Sequence, residues 1–284
     1  MLVIKIKGGL GNQMFQYALY IALKERGKKA ILDTSYIYKE MKGLGRSTIF
    51  DVFCLDHNYV VDNKIYNFLM RYFFSFFRNL TSFKKRIYRE PSFGIYDENV
   101  WKLDNTFLDG QWQSEKYFSL YRKRILEAFT LKQSVDLNNE LVKLILNKAN
   151  CTVSIHIRLG DYTSEGNQRN FGNICTAMYY RKAINHIRSL CNNPLFIVFS
   201  NDITKAKEII ANENVIFADS TSERNGWIDM WMMSKCRHNI IANSTFSWWA
   251  AWLNTNENKI VVAPQKWFNI RNTPDICPKD WTLI

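Results

Sequence analysis

Four clusters in this chain combine residue types that could bind or transform a ligand. The first is Gly8-Gly9-Leu10-Gly11-Asn12-Gln13. Gly9 and Gly11 permit unusual dihedrals and close approach of backbone to a ligand. A helix starting there offers unbonded N–H groups to an anion such as a pyrophosphate. Asp33, 22 residues after Gly11, invites comparison with a dinucleotide fingerprint, but Met14 stands where the third glycine belongs. A plain strand–helix turn is the other reading. The second cluster is Ser154-Ile155-His156-Ile157-Arg158-Leu159-Gly160-Asp161-Tyr162. Strand alternation puts His156 and Arg158 on one side, and a planar guanidinium can donate two hydrogen bonds to a phosphate at once. The alternative is an Arg158–Asp161 ion pair that holds the turn. The third is Ser200-Asn201-Asp202, where Asp202 either caps a helix or accepts from a ribose or base. The fourth is Asn243-Ser244-Thr245-Phe246. Hydroxyls and helix N–H groups point the same way there, which makes a second anion site, or else ordinary capping with Trp248, Trp249 and Trp252 as core.

The sequence has no D-x-D carboxylate pair to anchor a hard divalent cation. Positive charge for a departing anion would then come from Arg158 and helix ends. A general base must be a carboxylate or imidazole: His156 and Asp161 flank Arg158, and Glu115 is a third candidate. Asp161 is favoured, because it lies beyond Gly160, where the chain has left the strand. The four histidines are too dispersed for a local metal motif, and the six cysteines form no C-x-x-C pair. In a chain of this length they read as reduced core cysteines.

These clusters need elements to position them. Residues 2–7 alternate as a half-buried strand, 12–26 suit a helix with Phe15, Leu19, Ala22 and Leu23 near one face, Gly27 stops it, and 29–33 read as a strand. From 151 onward, strands at 151–157, 195–200, 214–218, 238–242 and 259–263 alternate with helices near 177–190, 203–211, 227–235 and 245–254. Continuous apolar strands alternating with helices indicate parallel sheets covered on both faces. The expected fold is α/β in two halves with a boundary near 140–150, giving domains 1–147 and 148–284. Every cluster sits at a strand's carboxyl end, where open α/β sheets bind ligands.

With 284 residues, 47% of them hydrophobic, the chain has the material for two cores and is not disordered. The net charge of +12 suggests anionic partners. Residues 64–89 hold seven basic side chains (Lys64, Arg71, Arg78, Lys84, Lys85, Arg86, Arg89), no acidic one and nine aromatics. That composition fits peripheral contact with an anionic membrane surface, or a basic rim on an aromatic core. No RNA-binding motif accompanies it, so nucleic acid is not expected. The chain has no signal-peptide pattern and no apolar run long enough to span a bilayer. A soluble cytoplasmic protein, at most peripheral at the inner membrane face, is expected.

The sequence resembles the bacterial α-1,2-fucosyltransferases of glycosyltransferase family 11. The matching stretches are GGLGNQMFQYA (8–18), FLDGQWQSEKYF (107–118), VSIHIRLGDY (153–162), DMWMMSKCRHNIIANSTFSWWAAWLN (229–254), APQKWF (263–268) and DICPKDW (275–281). The resemblance implies a GT-B-like architecture, two Rossmann-like domains facing each other across a cleft. It implies GDP-β-L-fucose as donor, held mainly by the C-terminal domain, and a galactose-terminated acceptor, lipid-linked or free, on the N-terminal side. The expected product is an α-1,2-fucosylated unit of an O-antigen or other surface polysaccharide. The resemblance also implies inversion at the anomeric carbon with no cofactor and no essential metal. Carried over by position, Arg158 binds the pyrophosphate, Ser244, Thr245 and Phe246 line the donor pocket, and Asn12 and Gln13 face the donor. Gly9, Gly11, Asp202 and Asn243 complete the expected binding set. One departure stands out: the family commonly has two adjacent arginines after the histidine, and here the second is Leu159. The alternatives are a nicotinamide-dependent oxidoreductase and a catalytically silent glycan-binding protein.

Overall fold

The computed structural model describes residues 1–37, 45–56, 60–61, 87–159, 165–211, 213–219 and 225–284. The chain forms two compact units, Met1–Gln133 with Pro274–Ile276, and Ser134–Thr273 with Cys277–Ile284. Residues 134–147, expected in the first domain, group with the second. The physical reason is the helix Glu140–Leu146, which buries Val142 and Ile145 and packs on the helix Gly226–Lys235 of the second unit.

In the first unit the elements are β1 (Leu2–Lys5), α1 (Leu10–Glu25), β2 (Ala30–Asp33), α2 (Ile49–Val52), β3 (Val60–Val61), β4 (Ile87–Arg89), β5 (Phe107–Asp109) and α3 (Arg122–Ala128). The strands pair in parallel in the order β3-β2-β1-β5-β4. A helix apolar on every side must be covered on every side, and the α1 residues from Gln13 to Leu23 are all buried. Gly27 ends it at φ 75°: its N–H reaches Lys24 O at 2.9 Å, and Lys28 N–H reaches Leu23 O at 2.9 Å. This is the paired closure that a left-handed residue allows.

The second unit contains α4 (Glu140–Leu146), β6 (Thr152–Ile157), α5 (Glu165–Phe171), α6 (Ala177–Leu190), β7 (Leu195–Ser200), α7 (Ile203–Ile209), β8 (Val215–Phe217), α8 (Gly226–Lys235), β9 (His238–Ile240), α9 (Thr245–Leu253), β10 (Val261–Ala263) and β11 (Thr282–Leu283). Its parallel sheet runs β11-β10-β9-β6-β7-β8. The chain starts in the middle, winds out to β8, then returns past β6 and winds the other way. That is the doubly wound Rossmann order, and its switch point lies between β6 and β9. In the first sheet the corresponding switch is between β1 and β5.

Buried amides lock the second unit. Asn239 Nδ2 donates to Ser154 Oγ and to Met233 O, each at 2.8 Å, and Asn254 Nδ2 donates to Asn239 Oδ1 and to Cys236 O, each at 2.8 Å. Polar groups this deep are tolerable only when paired, and the pairing ties β6, β9, α8 and α9 together. Trp248, Trp249 and Trp252 pack as core on α9, with Trp248 and Trp249 edge-to-face at 5.1 Å.

Candidate functional site

The switch point of the second sheet gathers the second and fourth sequence clusters. Arg158 follows β6, and Ser244 to Phe246 follow the neighbouring β9. Two tyrosines on α6 fix the strand ends that carry them. Tyr180 donates to His156 O at 2.9 Å, and Tyr179 donates to Ile241 O at 2.5 Å. Neither tyrosine stood out in the sequence; the only signal was a hydroxyl at two successive positions of a helix that must be buried.

Ser244 is the N-cap residue of α9 but makes no capping bond with its side chain, and the first turn of α9 has no acidic residue. The Ser244 hydroxyl therefore does not supply the usual capping oxygen to the first turn. The positive end of its dipole sits on the strand next to the one that delivers a guanidinium. Thr245 and Phe246 are half-buried there, and the Phe246 ring lies 5.6 Å from that of His156. His156 itself is buried, its Nδ1 has no hydrogen-bond partner, and burial, aided by the Arg158 charge, lowers its pKa to about 3. The ring is neutral at physiological pH and too weakly basic to take a proton from a hydroxyl. His156 is therefore a neutral wall of the site.

Other expected site residues have structural duties. Asn243 is buried and donates to Phe171 O and Trp267 O, both at 3.2 Å, while Cys175 Sγ lies 3.5 Å from its Oδ1. It anchors loops and presents no amide to a ligand. Asp202 caps α7 by accepting from Lys205 N–H at 3.1 Å, and that bond, with the nearby lysine charge, holds its carboxyl below the usual range. Capping is the role the geometry gives it. Leu159 turns its side chain against the apolar core, and its N–H donates to Asn201 Oδ1 at 2.9 Å. The position of the second arginine thus points into the fold in this chain. Gly160 and Asp161 lie outside the described residues.

The first cluster occupies the switch point of the first sheet. Gly8 has φ 80°, and a Cβ on it would strike Asn12 Nδ2 at 2.7 Å. Gly9 is the N-cap residue of α1; it has no side chain to cap with, and a Cβ placed there would meet open space. Backbone N–H groups are thus approachable at this turn, with buried Gly11 packed behind them. Asn12 Oδ1 accepts from Gln113 Nε2 at 2.9 Å, which joins the turn after β1 to the turn after β5. Gln13, expected to face a ligand, is fully buried: its Nε2 donates to Gly8 O at 2.7 Å, and its Oε1 accepts from Ile49 N–H at 3.0 Å.

Two residues the sequence reading passed over organise this region. Gln16 accepts from Lys7 N–H at 2.8 Å and donates to Gly110 O at 3.3 Å. Its signal was a third amide, one turn beyond Asn12, on an otherwise apolar helix. Glu90, just past β4, accepts from the N–H groups of Gln111 at 2.7 Å and Trp112 at 3.2 Å. It holds Trp112 at φ 56°, a strained position for a residue with a Cβ. Burial raises the Glu90 pKa, against the pull of those two N–H groups. Beside it, Asp109 pairs with Lys7 at 2.7 Å and Lys5 at 3.5 Å; burial would raise its pKa, but the lysines outweigh burial and hold it low. Glu115 begins a short 3-10 helix capped by Ser114, whose Oγ accepts from Lys116 N–H.

Comparison with known proteins gives consistent matches. The family model described as Glycosyl transferase family 11 matches residues 1–284. An alpha-1,2-colitosyltransferase of Escherichia coli is 34% identical, over 99% of this chain and 98% of its own. The O-antigen biosynthesis glycosyltransferase WbnK, also of Escherichia coli, is 35% identical over 97% and 98%. The galactoside alpha-(1,2)-fucosyltransferase 1 of Saimiri boliviensis boliviensis is 30% identical over 48% of this chain and 40% of its own. Among solved structures, the NodZ alpha-1,6-fucosyltransferase of Bradyrhizobium has a TM-score of 0.51 at 14% identity, over 89% of this chain and 92% of its own. That likeness shows the fold alone: α/β, with parallel sheets flanked by helices.

Proposed function

The chain belongs to glycosyltransferase family 11, and from that premise we propose that it transfers L-fucose from GDP-β-L-fucose to the 2-hydroxyl of a terminal galactose. The observation that carries the donor assignment is the juxtaposition of Arg158 after β6 with the amino-terminal end of α9 after β9, on neighbouring strands. A guanidinium and fixed backbone N–H groups are the donors a leaving diphosphate needs as its charge develops. Phe246 and neutral His156 supply an apolar border. The acceptor is assigned to the first unit, where the Gly9 turn and the Asn12–Gln113 pair lie at the switch point.

In this scheme the acceptor oxygen forms a bond to the anomeric carbon as the bond to the diphosphate breaks, so the β-linked donor gives an α-linked product. The hydroxyl proton passes to a base, which we assign to Asp161. No metal is required; Arg158 and helix N–H groups carry the neutralisation. The activities named for the relatives support the α-1,2 linkage and, for WbnK, an O-antigen context.

A second donor has a specific observation behind it, the 34% identity to an alpha-1,2-colitosyltransferase. Colitose is fucose without its 3-hydroxyl. A site built to hydrogen-bond that hydroxyl rejects the analogue lacking it by a large factor, about 10⁴ or more. Offering GDP-L-fucose and GDP-colitose with a galactose-terminated acceptor, and reading product mass and linkage, separates the two. Efficient transfer of fucose to O2 is expected. Faster transfer of colitose would overturn the donor assignment, and linkage at another hydroxyl the acceptor assignment. For the base, Asp161→Asn is expected to keep GDP affinity and lose about 10²-fold or more in rate; lost GDP affinity would make Asp161 a support for Arg158 instead.

A further inference from the structure

The amino-terminal edge of the second sheet holds a cluster that the transferase scheme does not use. Cys151 precedes β6, Cys191 closes α6 and His238 opens β9. The two sulfurs and a ring nitrogen of His238 all lie within 4.8 Å of one another. Two thiols and an imidazole are a common zinc donor set, so the position of the ring proton decides what the cluster can do. The Ile260 N–H donates to His238 Nδ1 at 2.9 Å, which requires a lone pair on Nδ1. Burial, with the Arg237 charge, lowers the His238 pKa and keeps the ring neutral. Its one proton is then on Nε2, 3.2 Å from Cys191 Sγ, and Nε2–H donates to the sulfur. Metal-bound imidazole has the reverse arrangement, with a bare nitrogen toward the metal and the other N–H donating outward. The nitrogen that faces the sulfurs here is the protonated one, which leaves two thiols and, among the described residues, no third ligand.

We propose that Cys151 and Cys191 are a redox-active thiol pair, a modification site that forms an intramolecular disulfide with a low-molecular-weight disulfide of the glutathione class as oxidant. Both residues are partly solvent-exposed, so the oxidant can reach them. Cys191 is held against the apolar core with its sulfur on the imidazole N–H. Burial, and then the Cys191 sulfur, push the Cys151 thiol up to about 11, so Cys151 keeps its proton and Cys191 attacks first. The Cys191 thiolate displaces one small thiolate and forms a mixed disulfide. Cys151 then loses its proton to solvent, and its sulfur attacks Cys191 Sγ and expels the second small thiolate. Two protein thiols are oxidised and one small disulfide is reduced to two thiols. The bond links the start of β6 to the end of α6.

The test uses the intact wild-type chain in glutathione buffers of rising oxidised fraction, followed by alkylation, intact mass and peptide mapping, with zinc binding measured in parallel. The expected result is loss of two alkylatable thiols, a mass lower by two hydrogens and a Cys151–Cys191 joined peptide. Cys191→Ser, folded by circular dichroism, should yield no joined peptide. Three outcomes overturn the proposal: six free thiols persisting in fully oxidised buffer, separate glutathione adducts on both cysteines, or one tightly held zinc per chain that Cys191→Ser releases. None of these depends on the transferase reaction.

Discussion

His156 makes acid stability the most discriminating property of this chain. Its pKa falls from the ordinary 6.5 to about 3, through burial first and the Arg158 charge second. The unfolded chain takes up this proton as pH falls through 6.5, while the folded chain refuses it until about 3. The unfolded state therefore binds more protons across that window, and stability drops as pH falls. The contribution is fully present above 6.5. At about 1.4 kcal/mol per pH unit, it is worth at most about 5 kcal/mol in total and about 3 kcal/mol between pH 7 and 4.5. For a unit of this size that is roughly a 10 °C fall in melting temperature. Tryptophan fluorescence is the natural probe, because seven of the nine tryptophans lie at or beyond Trp227. Other groups also titrate here, so the quantity to compare is the difference in pH slope between wild type and His156→Asn. Whatever that variant costs at pH 7, its melting temperature should fall less steeply toward pH 4.5. Parallel slopes would refute the buried neutral imidazole.

Arg158→Ala should lose about 10²–10³ in transfer rate while its melting curve stays near wild type; near-normal turnover in a folded variant removes Arg158 from the mechanism. Initial rates are expected to survive EDTA, and complete loss restored by magnesium or manganese would defeat the metal-free scheme. Glu90→Gln replaces a double acceptor for Gln111 and Trp112 N–H with an amide that can accept only through its single oxygen. We expect about 1.5–3 kcal/mol of destabilisation by thermal melting, and an unchanged melting point would mean that Glu90 does not hold the Trp112 turn. The 64–89 segment, whose residues 64–86 lie outside the described residues, is expected to bind anionic vesicles more strongly than neutral ones. Changing Lys84, Lys85 and Arg86 to Glu should abolish the difference; equal binding to both vesicle types counts against a membrane role.

The second sheet was legible because its inner strands, β6 and β7 above all, are buried on both faces and read as apolar runs. The stretches 151–157 and 195–200 became β6 and β7 almost to the residue. Arg158 after β6 and Ser244 after β9 could be placed for the same reason: order along the chain fixes which end of a parallel strand a loop follows. β4 and β5 were missed because their three residues stand among charged and polar neighbours (Arg86, Arg89 and Glu90; Thr106, Asp109 and Gly110), whereas the equally short β8, β9 and β10 lie in or beside longer apolar stretches. The direction of individual polar side chains was illegible too. Gln13 and Asn243 follow the expected strands, but their amides satisfy backbone groups that only the folded chain brings within reach. Leu159 could be seen as a departure, yet only packing reveals that it faces the core. Glu90 and Trp112 are 22 residues apart, and no local pattern announces that one holds the other's backbone.

Pro274–Ile276 belong to the first unit although the chain has by then built nearly all of the second, and Cys277–Ile284 go back to add β11. Asp275 accepts from Tyr96 N–H at 2.8 Å and pairs with Lys116, and its own N–H donates to Gly94 O at 3.2 Å. No single cut of the polypeptide therefore yields two complete modules. A fragment ending at Gln133 would lose the acceptor for Tyr96 and the counter-charge for Lys116. One beginning at Ser134 would carry three residues whose partners are gone. Shuffling of halves between relatives, whether by recombination or by design, has to exchange residues 274–276 together with the first unit or leave a seam in both products.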